Sequence, residues 1–143
     1  MEFKWYTYGQ AGYEDGFNIR MEVFCREIGF TEDFEFDESD KSALHLVCYD
    51  NGVPVCNARI LQEHAGVWHF GRLCAPQNAR GKGYGKATVL KAIEKCEEMC
   101  ANKIILGAKY DKKDFYRSLG FTAYGEIYYE EGIPHIMMQR EIG

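Results

Sequence analysis

The sequence lacks the features that would place the chain in a membrane or on a nucleic acid. None of its apolar runs reaches the roughly 20 residues that a helix needs to cross a bilayer. The N-terminus shows no basic stretch followed by an apolar one, so no secretion signal is expected and the cytoplasm is the predicted compartment. Positive charge is scarce, since 17 Lys and Arg stand against 22 Asp and Glu, for a net charge of −5. This balance argues against a nucleic-acid partner and permits a cationic one.

The six cysteines lack the paired close spacing of a zinc site. They stand at positions 25, 48, 56, 74, 96 and 100, mostly within apolar stretches. We therefore expect free thiols that are buried by packing, and no metal. Cys96 and Cys100 lie one helical turn apart, which leaves a redox pair as the alternative.

Length and periodicity predict a single domain, residues 1–143, of mixed helix and sheet. The predicted elements are a helix over Phe17–Ile28, a loop over Thr31–Lys41, a hairpin of Ala43–Tyr49 and Pro54–Leu61, a strand from Gly66 or Val67 to Ala75, a helix over about Gly83–Ala101, a strand over Lys103–Ala108, a short helix over Asp111–Leu119 and a hairpin of Tyr124–Tyr129 and Ile133–Arg140. This order predicts an α/β (α+β) fold with a mostly antiparallel sheet that becomes parallel near the long helix.

The loop before the long helix carries three alternating glycines among basic residues. It reads Arg80, Gly81, Lys82, Gly83, Tyr84, Gly85 and Lys86. Glycine lets backbone N–H groups approach an anion without a Cβ in the way, and the following helix offers the positive end of its dipole. The pattern predicts a phosphate-binding site, and a turn that merely starts a helix is the simpler alternative.

Spacing excludes two common phosphate loops. A Walker loop needs glycine at position 80 and Ser or Thr at position 87, where this chain has Arg80 and Ala87. A Rossmann fingerprint ends on glycine, where this chain has Lys86 or Thr88. What remains is Arg-x-x-Gly-x-Gly, from Arg80 to Gly85.

This remaining pattern resembles the acetyl-CoA pyrophosphate loop of the GNAT N-acetyltransferase superfamily. Residues 71–75, Gly-Arg-Leu-Cys-Ala, resemble the strand that precedes that loop, and residues 114–121, Asp-Phe-Tyr-Arg-Ser-Leu-Gly-Phe, resemble the second signature of the superfamily. Further similarity at 20–24, 36–40, 45–47 and 132–135 extends over nearly the whole chain and resembles the ElaA-like branch. Ile28 departs from that branch, which has glutamine after the glutamate matched by Glu27.

The resemblance implies a single GNAT-like domain that uses acetyl-CoA as cosubstrate to acetylate an amine. It implies that the strand end at Leu73, Cys74 and Ala75 holds the pantetheine arm, mainly through its backbone, and that residues 80–86 bind the pyrophosphate. Tyr116 matches the tyrosine that acts as general acid on the departing CoA thiolate. A phenol is neutral at pH 7 and can donate a hydrogen bond to that charge, although a tyrosine packed in the core is the alternative.

The general base stays open among three residues. His135 is a candidate base or substrate contact because imidazole titrates in the right range, and Glu27 and His69 are alternatives. The acidic segment Glu32–Asp40 either attracts a cationic amine or is a solvated run of charge.

The favoured function is transfer of an acetyl group to a primary amine of a small molecule or peptide, by direct transfer in a ternary complex. The alternative is a catalytically silent CoA-binding sensor or partner-binding module on the same fold, and a structural protein without a cofactor is the third hypothesis. The sequence leaves open the acceptor, the preferred acyl group and a homodimer formed by pairing of C-terminal strands.

Overall fold

A computed structural model describes residues 1–142, with the side chains of all of them except Asp33 and Phe34. The strands are β1 (Glu2–Tyr6), β2 (Leu44–Asp50), β3 (Val53–His64), β4 (Val67–Cys74), β5 (Lys103–Lys109), β6 (Thr122–Glu130) and β7 (Ile133–Glu141). The helices are α1 (Tyr13–Arg20), which continues as a π-helical segment (Met21–Ile28), α2 (Glu32–Glu35), α3 (Tyr84–Glu98) and α4 (Lys113–Arg117). Short 3-10 turns cover Glu38–Lys41, Gln77–Ala79 and Tyr110–Lys112. Among the described residues, no helix combines the length and the apolar character needed to span a membrane.

The seven strands form one sheet in the order β1-β2-β3-β4-β5-β7-β6. β1 and β3 both pair with β2, and β5 and β6 both pair with β7, in each case antiparallel. β4 pairs with β5 in parallel over Val67–His69. The predicted α/β fold with a mostly antiparallel sheet and a local parallel pairing is confirmed.

The first of two densely packed groups comprises Met1–Leu61 and Arg72–Ala92. Its core lies around β2 and β3, where Leu46, Val47 and Ala58 are fully buried. The β2–β3 turn places Asn51 and Gly52 in the left-handed region, as a two-residue hairpin turn requires.

The first helix begins at Tyr13, four residues before its predicted start at Phe17. Helix propensity does not predict this first turn, because it contains Gly16 and glycine is a poor helix former. The structure explains the glycine, since a Cβ there would collide with the side chain of Asn57. Ile19 and Val23 lie one helical turn apart and form a buried apolar stripe on this helix.

The prediction of a loop over Thr31–Lys41 is wrong for most of the segment. It folds into α2 and the 3-10 turn Glu38–Lys41. Glu35 and Asp40 turn into the interior, where arginines neutralise them, and Asp37 caps the 3-10 turn by accepting a hydrogen bond from the N–H of Ser39. The side chains of Asp33 and Phe34, which belonged to that predicted loop, lie outside the described part.

The second group comprises Gln62–Gly71 and the described chain from Ile93 onward. The β6–β7 hairpin turns through left-handed Glu131 and Gly132, where the sequence placed its turn. Ile104, Leu106 and Met138 are buried on β5 and β7. The predicted strand and closing hairpin of this region are therefore present.

All six cysteines are free thiols. The four at positions 48, 56, 74 and 96 are buried, as predicted, whereas Cys100 is exposed. Burial raises the pKa of Cys96 to about 11, so this thiol is protonated at neutral pH and is a poor partner for a redox pair with Cys100. Within the part of the chain that the structure describes, no three His, Cys, Asp or Glu side chains gather where they could hold a metal ion.

Candidate active site

The glycine loop joins the 3-10 turn Gln77–Ala79 to the N-terminus of α3. Gly81 and Gly83 have φ angles of +78° and +85°, which L-residues with side chains rarely adopt. A Cβ placed at Gly81, Gly83 or Gly85 would meet nothing within 4 Å. The loop therefore leaves open space beside its backbone at the positive end of a 15-residue helix. Lys82 and Lys86 add charge at this point, so the arrangement suits an anion.

Tyr84 secures the loop from within the first packed group. Its side chain is buried in a cluster with Cys48, Val55 and Cys56, and its hydroxyl donates a hydrogen bond to the carboxylate of Asp50. This hydrogen bond, with burial, raises the pKa of the Tyr84 phenol. The side chain of Tyr84 is thus engaged within the protein, and only its backbone is suited to contact an anion.

Arg80 pairs with Glu27. Its Nη1 and Nη2 donate to the two carboxylate oxygens of Glu27 at 2.8 and 2.5 Å, and its Nε donates to the carbonyl of Ala75 at 3.0 Å. The hydrogen bond to Glu27 raises the pKa of the Arg80 guanidinium, although burial opposes it. This bidentate pairing with a guanidinium cation stabilises the charged carboxylate, so the geometry disfavours Glu27 as a base.

The strand that leads into the loop has a distorted backbone at Arg72, which we interpret as a β-bulge. Arg72, inside β4, has a φ of +57°, which is uncommon for a residue other than glycine and is found where a strand bends. Two hydrogen bonds hold it: Asn57 Nδ2 donates to the Arg72 carbonyl at 3.1 Å, and Arg72 Nε donates to the Glu35 carbonyl at 3.2 Å. The parallel pairing with β5 covers only the beginning of β4, and the strand continues to Cys74.

The side chains after the bulge alternate between two apolar clusters. Leu73 and Ala75 pack against the cluster of Cys48 and Val55, whereas Cys74 packs with Ile19 and Val23. Burial raises the pKa of the Cys74 thiol well above its usual range. Packing thus occupies these three side chains, and the backbone role expected for Leu73 and Ala75 stays a prediction.

A buried network of charges supports this bulge, and the sequence argument missed it. Arg20 donates to Glu35 Oε1 at 2.7 Å and to Asp40 Oδ1 at 2.9 Å. Arg59 donates to the same Asp40 oxygen at 2.7 Å, and Arg72 Nε lies 3.1 Å from Glu35 Oε2. The only sequence signal was Arg20 beside the apolar stripe of the first helix, because an arginine there has to find acids to be buried.

The two buried carboxylates respond differently to this network. Burial works to raise the pKa of Asp40, but hydrogen bonds and charge from Arg20 and Arg59 outweigh it and hold the pKa below its usual value. Burial raises the pKa of Glu35, and the charges of Arg72 and Arg20 only partly offset it. Asp40 is therefore the stronger anchor for the arginines.

Tyr116 lies in α4, within the second predicted signature. Its half-buried ring meets Phe115 edge-on at 5.0 Å and Phe121 at 5.9 Å between ring centroids. Its carbonyl accepts hydrogen bonds from the N–H groups of Leu119 and Phe121 at 3.0 and 3.2 Å, around left-handed Gly120. The signature thus has a structural reason, since its Leu, Gly and Phe close the turn that fixes the tyrosine.

His135 is almost fully buried on β7, in the same packed group as Tyr116. Its Nδ1 donates to the carbonyl of Ile133 at 2.8 Å, and its ring stacks on Tyr128 with centroids 5.6 Å apart. Because a carbonyl only accepts, this bond places the proton of the neutral ring on Nδ1 and the lone pair on Nε2. Nε2 lies 3.6 Å from Oε2 of Glu130, a residue that the sequence argument did not select.

The third predicted base, His69, pairs with a different acid. Its Nδ1 lies 2.7 Å from Oε1 of Glu63, and both side chains are partly exposed. His69 lies five residues before the end of β4, in the part of the strand that pairs with β5. A hydrogen bond to Glu63 on the sheet explains this histidine without a catalytic role.

The chain matches one protein family over nearly its whole length. Residues 7–142 match the model of the acetyltransferase (GNAT) domain. The chain belongs to the GNAT acetyltransferase family. This GNAT chain is 32% identical to ElaA of Escherichia coli over 128 residues, which cover 87% of the chain and 84% of ElaA. It is 31% identical to the uncharacterized N-acetyltransferase YjcF of Bacillus subtilis, over 90% of the chain and 91% of YjcF.

Solved structures agree with the family. The crystal structure of Escherichia coli ElaA matches with a TM-score of 0.86 and 27% identity, over 98% of this GNAT chain and 99% of ElaA. An aminoglycoside 6'-N-acetyltransferase complexed with coenzyme A shares the fold, with a TM-score of 0.73 at 12% identity over 99% of this chain and 97% of that one. The predicted membership of the ElaA-like branch of the GNAT superfamily is confirmed, and the protein is an acetyltransferase.

Proposed function

We propose that the chain transfers an acetyl group from acetyl-CoA to a primary amine of a small molecule or peptide, by direct transfer in a ternary complex. The observation that carries this proposal is the loop at Gly81–Gly85, whose left-handed glycines leave open space at the N-terminus of α3. The related fold that was solved with coenzyme A supports the same cosubstrate.

In this proposal, backbone groups do most of the binding. The N–H groups of the loop and of the first turn of α3 hold the pyrophosphate, with Lys82 and Lys86 nearby. Beyond the bulge at Arg72, the backbone of Leu73 and Ala75 hydrogen-bonds the amides of the pantetheine arm. An N–H of this bent strand is also suited to stabilise negative charge on the thioester oxygen during attack.

The reaction itself needs two proton transfers. The amine must lose a proton to attack the thioester carbon, and the CoA sulfur leaves as a thiolate that must gain one. His135 accepts the first proton through Nε2, because Nδ1 is already occupied as a donor to Ile133. Glu130 then stabilises the imidazolium across the 3.6 Å that separates the two side chains. Tyr116 donates the second proton from its hydroxyl.

Cosubstrate binding is tested at Gly83. Gly83→Asp is expected to weaken CoA binding at least about 100-fold, because the carboxylate enters the open space and repels the pyrophosphate. Isothermal titration calorimetry with CoA measures this. Gly9→Asp is the matched control, since Gly9 also has a left-handed φ, +78°, with nothing within 4 Å of a Cβ, and lies outside the loop.

The proposal is judged from the CoA titrations of the wild type and the two variants together. Tight binding by wild type and by Gly9→Asp, with none by Gly83→Asp, supports the proposal. A wild type that does not take up CoA would refute it. Binding without turnover across a broad panel of amines would favour the catalytically silent CoA-binding module instead.

The base is tested at His135. His135→Asn keeps a donor near the position of Nδ1 for the Ile133 carbonyl but removes the accepting nitrogen. We expect kcat to fall about 100-fold with unchanged CoA affinity. His69→Asn is the control and should retain wild-type turnover. Equal losses in the two variants would contradict the role of His135.

A further inference from the structure

We propose that Glu27 and Arg80 form a strut that holds the glycine loop in its anion-binding form. Arg80 then works as a positioning residue, and its guanidinium does not pair with the pyrophosphate. This inference rests on the proposed CoA site and concerns how that site is built.

Three directed hydrogen bonds commit the guanidinium of Arg80 to the protein. The bond from Nε to the carbonyl of Ala75 closes the chain around the 3-10 turn Gln77–Ala79. The two bonds from Nη1 and Nη2 to Glu27 form a bidentate fork, the strongest geometry for such a pair. An anion could bind this guanidinium only by breaking its two hydrogen bonds to Glu27. Backbone N–H groups and two lysines of the loop can bind an anion without that cost.

The other end of the strut is firmly anchored. Glu27 lies in the last turn of the π-helical segment, whose end is fixed by hydrogen bonds from the N–H groups of Gly29 and Phe30 to the carbonyl of Phe24, at 3.1 and 2.9 Å. The same segment packs Val23 against Cys74 at the end of β4. Glu27 therefore joins the first residue of the loop to a helix that is already fixed to the preceding strand.

The sign of the charge on Glu27 makes this inference testable. A carboxylate near an anion site opposes anion binding through its charge alone. If Glu27 only contributed charge, its neutralisation would strengthen CoA binding. If it supports the loop, its neutralisation weakens CoA binding in spite of the charge that is removed.

The experiment compares Glu27→Gln with Glu22→Gln. Both variants remove one negative charge from the π-helical segment, and Glu22 acts on Arg80 through its charge. In calorimetric titrations with CoA, we expect Glu22→Gln to bind as tightly as wild type or up to about 3-fold more tightly. Glu27→Gln should bind about 10-fold more weakly, the loss that a charge-assisted hydrogen bond explains. Binding by Glu27→Gln as tight as that by Glu22→Gln would overturn the strut.

A second measurement separates this inference from the proposed function. Hydrogen exchange of the unliganded chain is followed in peptides that cover residues 80–86. Faster exchange there in Glu27→Gln than in Glu22→Gln is expected, and equal exchange would count against the strut whether or not the protein binds CoA. Failure of the wild type to bind CoA would refute the proposed function alone.

Discussion

Arg20→Met is expected to lower the free energy of unfolding by about 3–5 kcal/mol, the cost of removing one partner from a buried group of charges. Arg20 is 0% exposed and bonds to two carboxylates that are themselves buried, Glu35 and Asp40. Methionine fills a similar volume but leaves both acids without their central cation. Urea unfolding of wild type and variant at neutral pH measures the difference.

The matched control for this prediction is Arg117→Met. Arg117 pairs with Asp114 at 2.9 Å in α4, but both side chains are largely exposed, so the change in stability should stay below about 1 kcal/mol. If Arg20→Met cost no more than this control, the buried network would not be a principal source of stability.

Tyr116→Phe is expected to lower kcat by about 10²–10⁴-fold, the usual contribution of a general acid, and to leave CoA affinity unchanged. Phenylalanine keeps the ring that meets Phe115 and Phe121, so the turn around the second signature should persist. Only the hydroxyl that would protonate the CoA thiolate is lost.

Steady-state rates with an accepted amine, together with calorimetry for CoA, separate chemistry from binding. Tyr110→Phe serves as the control, because Tyr110 lies in the 3-10 turn just before α4 and its ring faces the ammonium of Lys113 at 3.7 Å. Wild-type turnover in Tyr116→Phe would exclude Tyr116 as the acid, whereas a similar loss in Tyr110→Phe would point to disturbance of α4.

The fold was largely predictable because its signals are local. Turn residues at Asn51–Gly52 and Glu131–Gly132 mark both hairpins, and helical spacing marks α3. The acidic segment was not predictable in the same way. Its residues fold because Arg20 and Arg59 lie within reach, and these arginines come from distant parts of the sequence. Local composition indicates a solvated loop, and only the tertiary fold supplies the partners that make burial of these acids favourable.

The same distinction between local signals and long-range contacts applies to the candidate site. The glycine loop could be recognised because its glycines, which permit a left-handed backbone and leave open space, lie close together in the sequence. Arg80 and Glu27 are 53 positions apart in the sequence. No spacing rule could therefore predict that these two candidate site residues form hydrogen bonds with each other. The carboxylate of Glu130 near His135 escaped for a related reason, because it looked like part of an ordinary turn.

The bulge at Arg72 limits how this protein can be redesigned or diverge. Asn57 holds the bulge, the missing Cβ of Gly16 gives Asn57 its room, and Glu35 of the charge network accepts from Arg72. A change at any of these positions is expected to alter both the resistance to unfolding and the shape of β4 beside the proposed cofactor site. New acceptor preferences should therefore arise most readily at residues outside this set, because the interior that keeps the chain folded also sets the geometry of its chemistry.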